Sequence, residues 1–177
     1  MYKAARFQAS SLQAMANGQV LMPYLTVLSG SKLEHLISTY KLNDLDPQAF
    51  YPQQIVCDMQ KRMSEDMGLF SGELVNIGIS SIDSIGFPAE IETVEDALGM
   101  LHEIYHAIHR DIPAEEGWIF RTVSDHELHI HFNSPYEPFA AYGYIYGIAH
   151  RFNPSHKEVT VYMEEDDGLA LYRVEFK

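Results

Sequence analysis

The sequence predicts an α+β domain in which a helical amino-terminal half precedes a roughly four-stranded antiparallel sheet with one inserted helix. Three observations lead to this prediction. Apolar residues recur at helical spacing through the first half, and they alternate with polar residues through most of the last third. A single helical segment with two glycines, residues 140–152, interrupts that alternation. Helices followed by strands, without regular exchange between them, are typical of an α+β domain.

Two segments of the first half have the periodicity of a helix. Residues 31–40 carry apolar side chains at helical spacing, and Asp46-Pro47 then breaks the pattern. Residues 52–66 carry an apolar residue every fourth position, a stripe formed by Ile55, Met59, Met63 and Met67, and Gly68 predicts its end. Such a stripe indicates core packing, although flexible thioethers also suit a cavity that adapts to a ligand. Residues 69–91 are less regular and predict a short helix followed by a loop.

The next helix carries three histidines along one edge. Thr93 is a good N-cap, and the helix is predicted to continue to about Arg110-Asp111 before Pro113. Its buried stripe comprises Leu98, Leu101, Tyr105, Ile108 and Ile112. At about 100° per residue, His102 and His109 lie at the edge of the stripe and His106 lies further toward solvent.

Three interpretations of these histidines remain open. They are boundary residues with local hydrogen bonds, or one of them binds the iron of haem, or two of them hold a zinc-type metal. The sequence has one cysteine and no HExxH pattern, which disfavours zinc. His129 and His131 alternate with apolar residues on a predicted strand, so they are expected to face outward.

The strands follow from alternation in the second half. Residues 118–123 are predicted to pair with residues 128–133 through a turn at 124–126. Residues 159–163 and 169–176 form a closing hairpin, and the acidic run Glu164-Glu165-Asp166-Asp167 lies at its turn. That run lacks the ligand spacing of an EF-hand loop, so a solvated turn is the simpler interpretation.

Length, charge and cysteine content restrict the class of protein. The 177 residues, 46% of them hydrophobic, fit one domain, 1–177, with a helical part (1–92) and a part containing the histidine helix and the sheet (93–177). The net charge of −13 disfavours nucleic acid and acidic membranes as partners. With one cysteine and no apolar run of about 20 residues, neither an intrachain disulfide nor a spanning helix is expected. A cytoplasmic protein is the simplest interpretation.

The carboxy-terminal half resembles a known family. The segments 117–121 and 128–136, the 142–152 helix and the closing hairpin are together similar to haem nitric-oxide/oxygen-binding (H-NOX) domains. They are similar also to the related vinyl-reductase-type ligand-binding domains. Leu101-His102-Glu103 resembles the segment that carries the proximal haem histidine of the family. The family clamps the haem propionates with Tyr-x-Ser-x-Arg, whereas this chain has Phe132-Asn133-Ser134-Pro135-Tyr136 and keeps only the serine.

The resemblance implies a sensory domain that signals to a separate protein partner. It would hold haem or another apolar small molecule between the histidine helix and the sheet, with His102 as the candidate iron ligand. The predicted ligand-binding residues are His102, Tyr105, His106, His109, Phe132, Ser134 and Tyr136. The helical half could serve as a homodimer surface. A ligand-free interaction module of the same fold is the alternative, and catalysis is not expected because no common catalytic motif is present.

Overall fold

The secondary structure was obtained from a computed structural model, which describes residues 2–67, 72–84, 87–153 and 158–177. Within these ranges the chain forms seven α-helices and two antiparallel sheets. The helices are α1 (Met22–Leu28), α2 (His35–Thr39), α3 (Gln53–Met67), α4 (Gly72–Ser84), α5 (Val94–Gly99), α6 (Leu101–Ala107) and α7 (Pro138–Arg151). The strands are β1 (Met15–Asn17), β2 (Phe50–Pro52), β3 (His109–Arg110), β4 (Gly117–Ser124), β5 (Glu127–Asn133), β6 (Val159–Asp166) and β7 (Leu169–Phe176). The α+β class is confirmed.

The larger sheet has the strand order β4-β5-β7-β6 and is the predicted four-stranded antiparallel sheet. The register pairs Trp118 with Phe132 and Ile130 with Tyr172, all of which are buried on the inner face. The inserted helix α7 connects β5 to β6 and contacts β6 and β7. Alternation identified these strands because only one face of the sheet is covered.

A second sheet joins distant parts of the chain and was not predicted. Its strand order is β2-β1-β3, with Ala16 opposite both Tyr51 and His109. Strands of two or three residues are too short to show a period-two pattern in the sequence. The amino-terminal half is therefore helical with two short strands, β1 and β2.

The predicted histidine helix is divided into α5 and α6. The Thr93 hydroxyl accepts a hydrogen bond from the Asp96 amide at 3.1 Å, which confirms the predicted N-cap. The helix ends earlier than predicted, at Ala107, because the Asn17 amide donates to the Ile108 carbonyl at 2.8 Å and β3 then pairs with β1. His109 consequently lies on a strand, and its side chain is 4% exposed.

Helix α4 is longer than the predicted short helix in the same region, and it packs directly against α7. A Cβ atom on Gly78 would lie 2.0 Å from the Ala140 carbonyl oxygen, and one on Gly143 would lie 2.1 Å from that of Val75. The two backbones therefore touch, with a glycine contributed by each helix. The predicted stop at Gly68 lies outside the described residues. No helix in the described ranges is long and apolar enough to cross a membrane.

Replacing Gly78 by alanine is expected to destabilise the fold by roughly 3 kcal/mol, because the methyl group collides with the backbone of α7. The free energy of unfolding in urea measures this change. Gly72→Ala in the same helix is the control, since its Cβ would meet nothing within 4 Å. It should be neutral or stabilise by up to about 1 kcal/mol. Equal effects of the two substitutions would contradict the direct helix contact.

Candidate functional site

A cavity of about 240 Å³ lies between the helices and the inner face of the larger sheet. Most of its wall is apolar or aromatic. Residues of α1, α3, α4, α6, α7, β3, β4 and β5 border it, among them Tyr24, Gln60, Ile77, Gly78, Ser81, Leu101, Ile104, Tyr105, Ile108, His109, Trp118, Phe132, Tyr136, Ala140, Ala141 and Tyr144. Gln19 and Ala107, which also border it, are exposed, so the cavity opens to solvent between the segment before α1 and the end of α6.

The described residues around the cavity carry no net charge at neutral pH. They include no aspartate, glutamate, lysine or arginine. Burial lowers the pKa of His109 to about 4, so its imidazole is neutral. Burial also raises the pKa of the tyrosines that border the cavity well above the usual value, so they keep their protons. The wall therefore resembles the apolar pockets that hold small molecules with few polar contacts.

His109 is a buried polar residue of this wall. Its Nδ1 lies 2.8 Å from the carbonyl oxygen of Tyr105, which can only accept, so Nδ1 carries the proton. Its Nε2 therefore accepts from the Tyr136 hydroxyl at 2.7 Å. The imidazole also stacks on the Tyr105 ring, with the centroids 4.0 Å apart. Both nitrogens of His109 are thus occupied within the protein.

A buried carboxylate, Glu116, lies behind Tyr105. The Tyr105 hydroxyl and the Gln53 amide each donate to its Oε1 at 2.6 Å, and the Tyr2 hydroxyl donates to its Oε2 at 3.1 Å. Gly117 follows it with φ of +126°, a conformation that favours glycine. A Cβ on Gly117 would lie 3.1 Å from the Tyr105 ring, so this residue lets β4 pass close to α6.

A second buried carboxylate, Glu137, precedes α7. Arg6 forms an ion pair with its Oε2, donating from Nε at 2.9 Å, and the Glu137 amide donates to the Gln60 side chain at 2.7 Å. Glu137 is 0% exposed, whereas the Arg6 side chain is half exposed. Since Gln60 borders the cavity, Glu137 connects the cavity wall to the amino-terminal segment.

The structure brings four of the predicted ligand-binding residues to the cavity and places three outside it. Tyr105, His109, Phe132 and Tyr136 border the cavity. Ser134 lies behind Tyr105 and hydrogen-bonds to its hydroxyl at 2.9 Å. The other two, His102 and His106, are described next.

His102 and His106 face the segment before β4. Their rings lie 4.5 Å apart, and His106 Nε2 donates to the Glu116 carbonyl at 2.8 Å. The Nδ1 of His102 is buried without a hydrogen-bond partner in the described part of the chain, and it lies beside Gly117. Neither imidazole borders the cavity, so neither reaches a molecule held there.

The strand histidines lie on the outer face, paired with carboxylates. His129 lies 2.6 Å from Glu127 and His131 lies 2.8 Å from Asp166. No group of three or more histidine, cysteine or acidic side chains arranged to hold a metal occurs among the described residues. The distances therefore indicate side-chain hydrogen bonds to carboxylates at these two positions.

Sequence reasoning missed the polar residues that connect the cavity to the amino terminus. Gln53 and Gln60 lie on the buried face of α3, at positions 53, 56, 60 and 63, where Val56 and Met63 are 0% exposed. Two glutamines on an apolar helical face are a signal that a buried acceptor or donor lies opposite. Glu116 and Glu137 lie in loops and carry no comparable pattern.

Acid is expected to destabilise the protein through His109. Its folded pKa of about 4 lies below the unfolded value of about 6.5, so the unfolded chain binds more protons between these pH values. Stability should therefore fall as the pH drops through this window, by about 3 kcal/mol from this group alone. Urea unfolding at pH 7 and pH 4 should show a correspondingly smaller loss for His109→Gln than for the wild type. Equal losses would show that His109 does not carry this effect.

Comparisons with solved structures relate this fold to one family. An H-NOX structure solved to probe haem distortion covers 91% of this chain and 95% of its own, with 17% identity and a TM-score of 0.61. An oxygen-binding H-NOX domain related to soluble guanylate cyclases matches with the same coverage and identity and a TM-score of 0.57. A point mutant of T. tengcongensis H-NOX matches with 16% identity, 91% and 97% coverage and a TM-score of 0.59. No family sequence model and no curated protein sequence matches the chain. The chain therefore has the fold of the H-NOX domains, as its carboxy-terminal half suggested.

Proposed function

We propose that this chain is a sensory domain that binds a small uncharged apolar molecule in the cavity between α6, α7 and the larger sheet. Occupancy is reported to a separate protein partner. The observation that carries the proposal is an uncharged cavity inside a domain of this size. Well-packed cores contain few voids larger than a water molecule. A filled-core interaction module would not leave about 240 Å³ empty beside Tyr105 and Tyr136.

The volume restricts the ligand to one or two rings. An engineered apolar cavity of about 150 Å³ binds benzene, whereas pockets for drug-sized molecules start at about 300 Å³. A cavity of about 240 Å³ lies between these sizes. The absence of carboxylates from the described wall, together with the engaged nitrogens of His109, supports binding rather than acid–base catalysis.

Haem, which the resemblance implied, does not fit the residues present. A haem carries two carboxylates, and no cation borders the cavity in the described ranges. Haem iron is bound by a histidine, cysteine, methionine or deprotonated tyrosine. Both nitrogens of His109 are hydrogen-bonded, and His102 does not border the cavity. The described lining has no cysteine or methionine, and burial keeps its tyrosines protonated by raising their pKa. The volume is also below the usual range for ligands of that size. The proposal therefore assigns no role to haem.

The amino-terminal segment, residues 2–10, is the route by which occupancy reaches the surface. Cavity residue Tyr105 is bound to Glu116, which accepts from Tyr2, and cavity residue Gln60 is bound to Glu137, which pairs with Arg6. A ligand that displaces either cavity side chain thus removes a hydrogen bond to a glutamate that binds this segment. Such a ligand shifts the population between held and released forms of the segment.

Replacing Arg6 by glutamine is expected to release this segment. Loss of the guanidinium leaves Glu137 buried without its cation, at a cost of roughly 2–3 kcal/mol after allowance for the exposed side of Arg6. Lys3→Gln on the same segment is the control, because the Lys3–Asp167 pair is exposed and contributes at most about 1 kcal/mol. Limited proteolysis should cut the Arg6 variant within residues 2–10 faster than the Lys3 variant. Equal rates would remove the segment from the proposed route.

Binding itself is tested with α-methylstyrene, a planar uncharged hydrocarbon small enough for the cavity. It should raise the melting temperature of the wild-type protein in a saturable manner. Ala141→Leu, which adds volume to a cavity-lining position, should abolish that rise while the variant still unfolds cooperatively. A wild-type melting temperature that does not respond would overturn the proposed function.

Haem binding is tested separately with haemin. The wild type and His102→Ala should both give the absorbance spectrum of free haemin. No described residue bordering the cavity is placed to bind the haem iron or to pair with the propionates. A sharp Soret band that saturates at one haem per chain and is lost in His102→Ala would instead establish a haem sensor. That result would require α6 to rotate His102 toward the cavity.

A further inference from the structure

Four tyrosines border the cavity among the described residues, and three of them have an acceptor for their protons within the protein. Tyr105 donates to the Glu116 carboxylate at 2.6 Å, and Tyr136 donates to His109 at 2.7 Å. The Ser81 hydroxyl lies close to Tyr144 and donates its own proton to the Ile77 carbonyl at 2.7 Å, so the serine oxygen is an acceptor beside the Tyr144 hydroxyl. Tyr105 and Tyr136 have no proton left for a ligand, and Tyr144 has an acceptor within the protein.

Tyr24 differs from the other three. Its oxygen accepts from the Gln60 side-chain amide at 2.5 Å, and Gln60 is the one hydrogen-bond partner of this hydroxyl among the described residues. The carbonyl oxygen of Gln60 is already bound by the Glu137 amide, so it does not take the proton of Tyr24. Tyr24 is 2% exposed, and burial raises its pKa, so it keeps a proton that no described protein group accepts.

We infer that Tyr24 donates this proton to an acceptor atom of the ligand, and that the ligand is an uncharged molecule with a carbonyl-type oxygen on an apolar body. This inference rests on the proposed function, because it names the ligand class of the same cavity. A buried hydroxyl proton without an acceptor costs free energy, and a ligand oxygen removes that cost. An acid or an amine is excluded as ligand because the described wall offers no counter-charge.

A second donor beside the cavity agrees with this class of ligand. Trp118 borders the cavity and makes ring contacts with Phe132, Tyr144 and Tyr172 but no hydrogen bond in the described ranges. Gln60 retains one amide proton after its bond to Tyr24. The polar groups of the inner wall that have no partner are thus hydrogen-bond donors, and they suit a ligand that carries a hydrogen-bond acceptor. Tyr24 is the best placed of them because Gln60 fixes the position of its oxygen.

The test compares acetophenone with α-methylstyrene, two planar molecules of the same size in which a carbonyl oxygen replaces a methylene group. Dissociation constants are measured by calorimetry for the wild type and for Tyr24→Phe. The ratio of the two constants is then compared between the two proteins. The different hydration of the probes in water affects both ratios equally and therefore cancels in this comparison. Loss of the hydroxyl should shift this ratio against acetophenone by roughly threefold to tenfold, as expected for one neutral hydrogen bond.

Tyr144→Phe is the matched control, since the Ser81 oxygen beside that hydroxyl offers it an acceptor within the protein, and it should leave the ratio unchanged. A ratio that is unchanged in Tyr24→Phe, or that changes only in Trp118→Phe, would overturn the assignment of Tyr24 while leaving ligand binding intact. Failure of both probes to bind the wild type would overturn the proposed function, and the inference with it. If Tyr24→Phe does not fold, the infrared carbonyl stretch of acetophenone bound to the wild type and to Trp118→Phe replaces the ratio. In both proteins it should lie at a lower frequency than in a hydrocarbon solvent, and an unshifted stretch in either protein overturns the assignment.

Discussion

The burial of two carboxylates is the constraint on which the site depends. Glu116 and Glu137 are both 0% exposed, and a buried carboxylate is tolerated only when donors compensate for the lost water. Glu116 recruits Tyr105, Gln53 and Tyr2, while Glu137 recruits Arg6. These donors come from the amino-terminal segment, α3 and α6, so the bonds to the two glutamates fix three parts of the chain relative to one another.

The same requirement determines the character of the cavity. The carboxylates themselves do not border the cavity, and Tyr105, which donates to Glu116, presents an aromatic ring to it. Tyr105 gives its proton away from the cavity, and Tyr136 does the same through His109. A space surrounded by groups whose hydrogen bonds point outward selects for uncharged molecules, since a charge there would have no partner. Tyr24 is the exception, because its oxygen accepts from Gln60 and its proton is left to orient a bound molecule.

Much of the fold could be predicted from the sequence, and the parts that could not are short or made by distant contacts. Only one face of β5 is buried, so its buried residues Leu128, Ile130 and Phe132 alternate with more exposed ones. This alternation made the larger sheet recognisable in the sequence. The strand at His109 exists only because Ala16, from a distant part of the chain, pairs with it. Four of the predicted ligand-binding residues, Tyr105, His109, Phe132 and Tyr136, border the cavity. They lie on periodic faces of the sequence or at the ends of those faces. Tyr24 and Gln60 were missed because their role depends on a hydrogen bond between two helices.

A shared fold does not require a shared ligand. A structure with the H-NOX architecture can hold haem only if iron and both propionates find partners, and the described residues of the site supply neither. The position that resembles the family's arginine is Tyr136, which completes the hydrogen bonding of His109 instead of binding an anion. Arg6, whose guanidinium reaches the end of this loop, is bound to Glu137, so it cannot substitute. At this position a neutral tyrosine–histidine pair contributes no charge to the cavity wall. The fold alone therefore does not determine the ligand, because function resides in the side chains of the site.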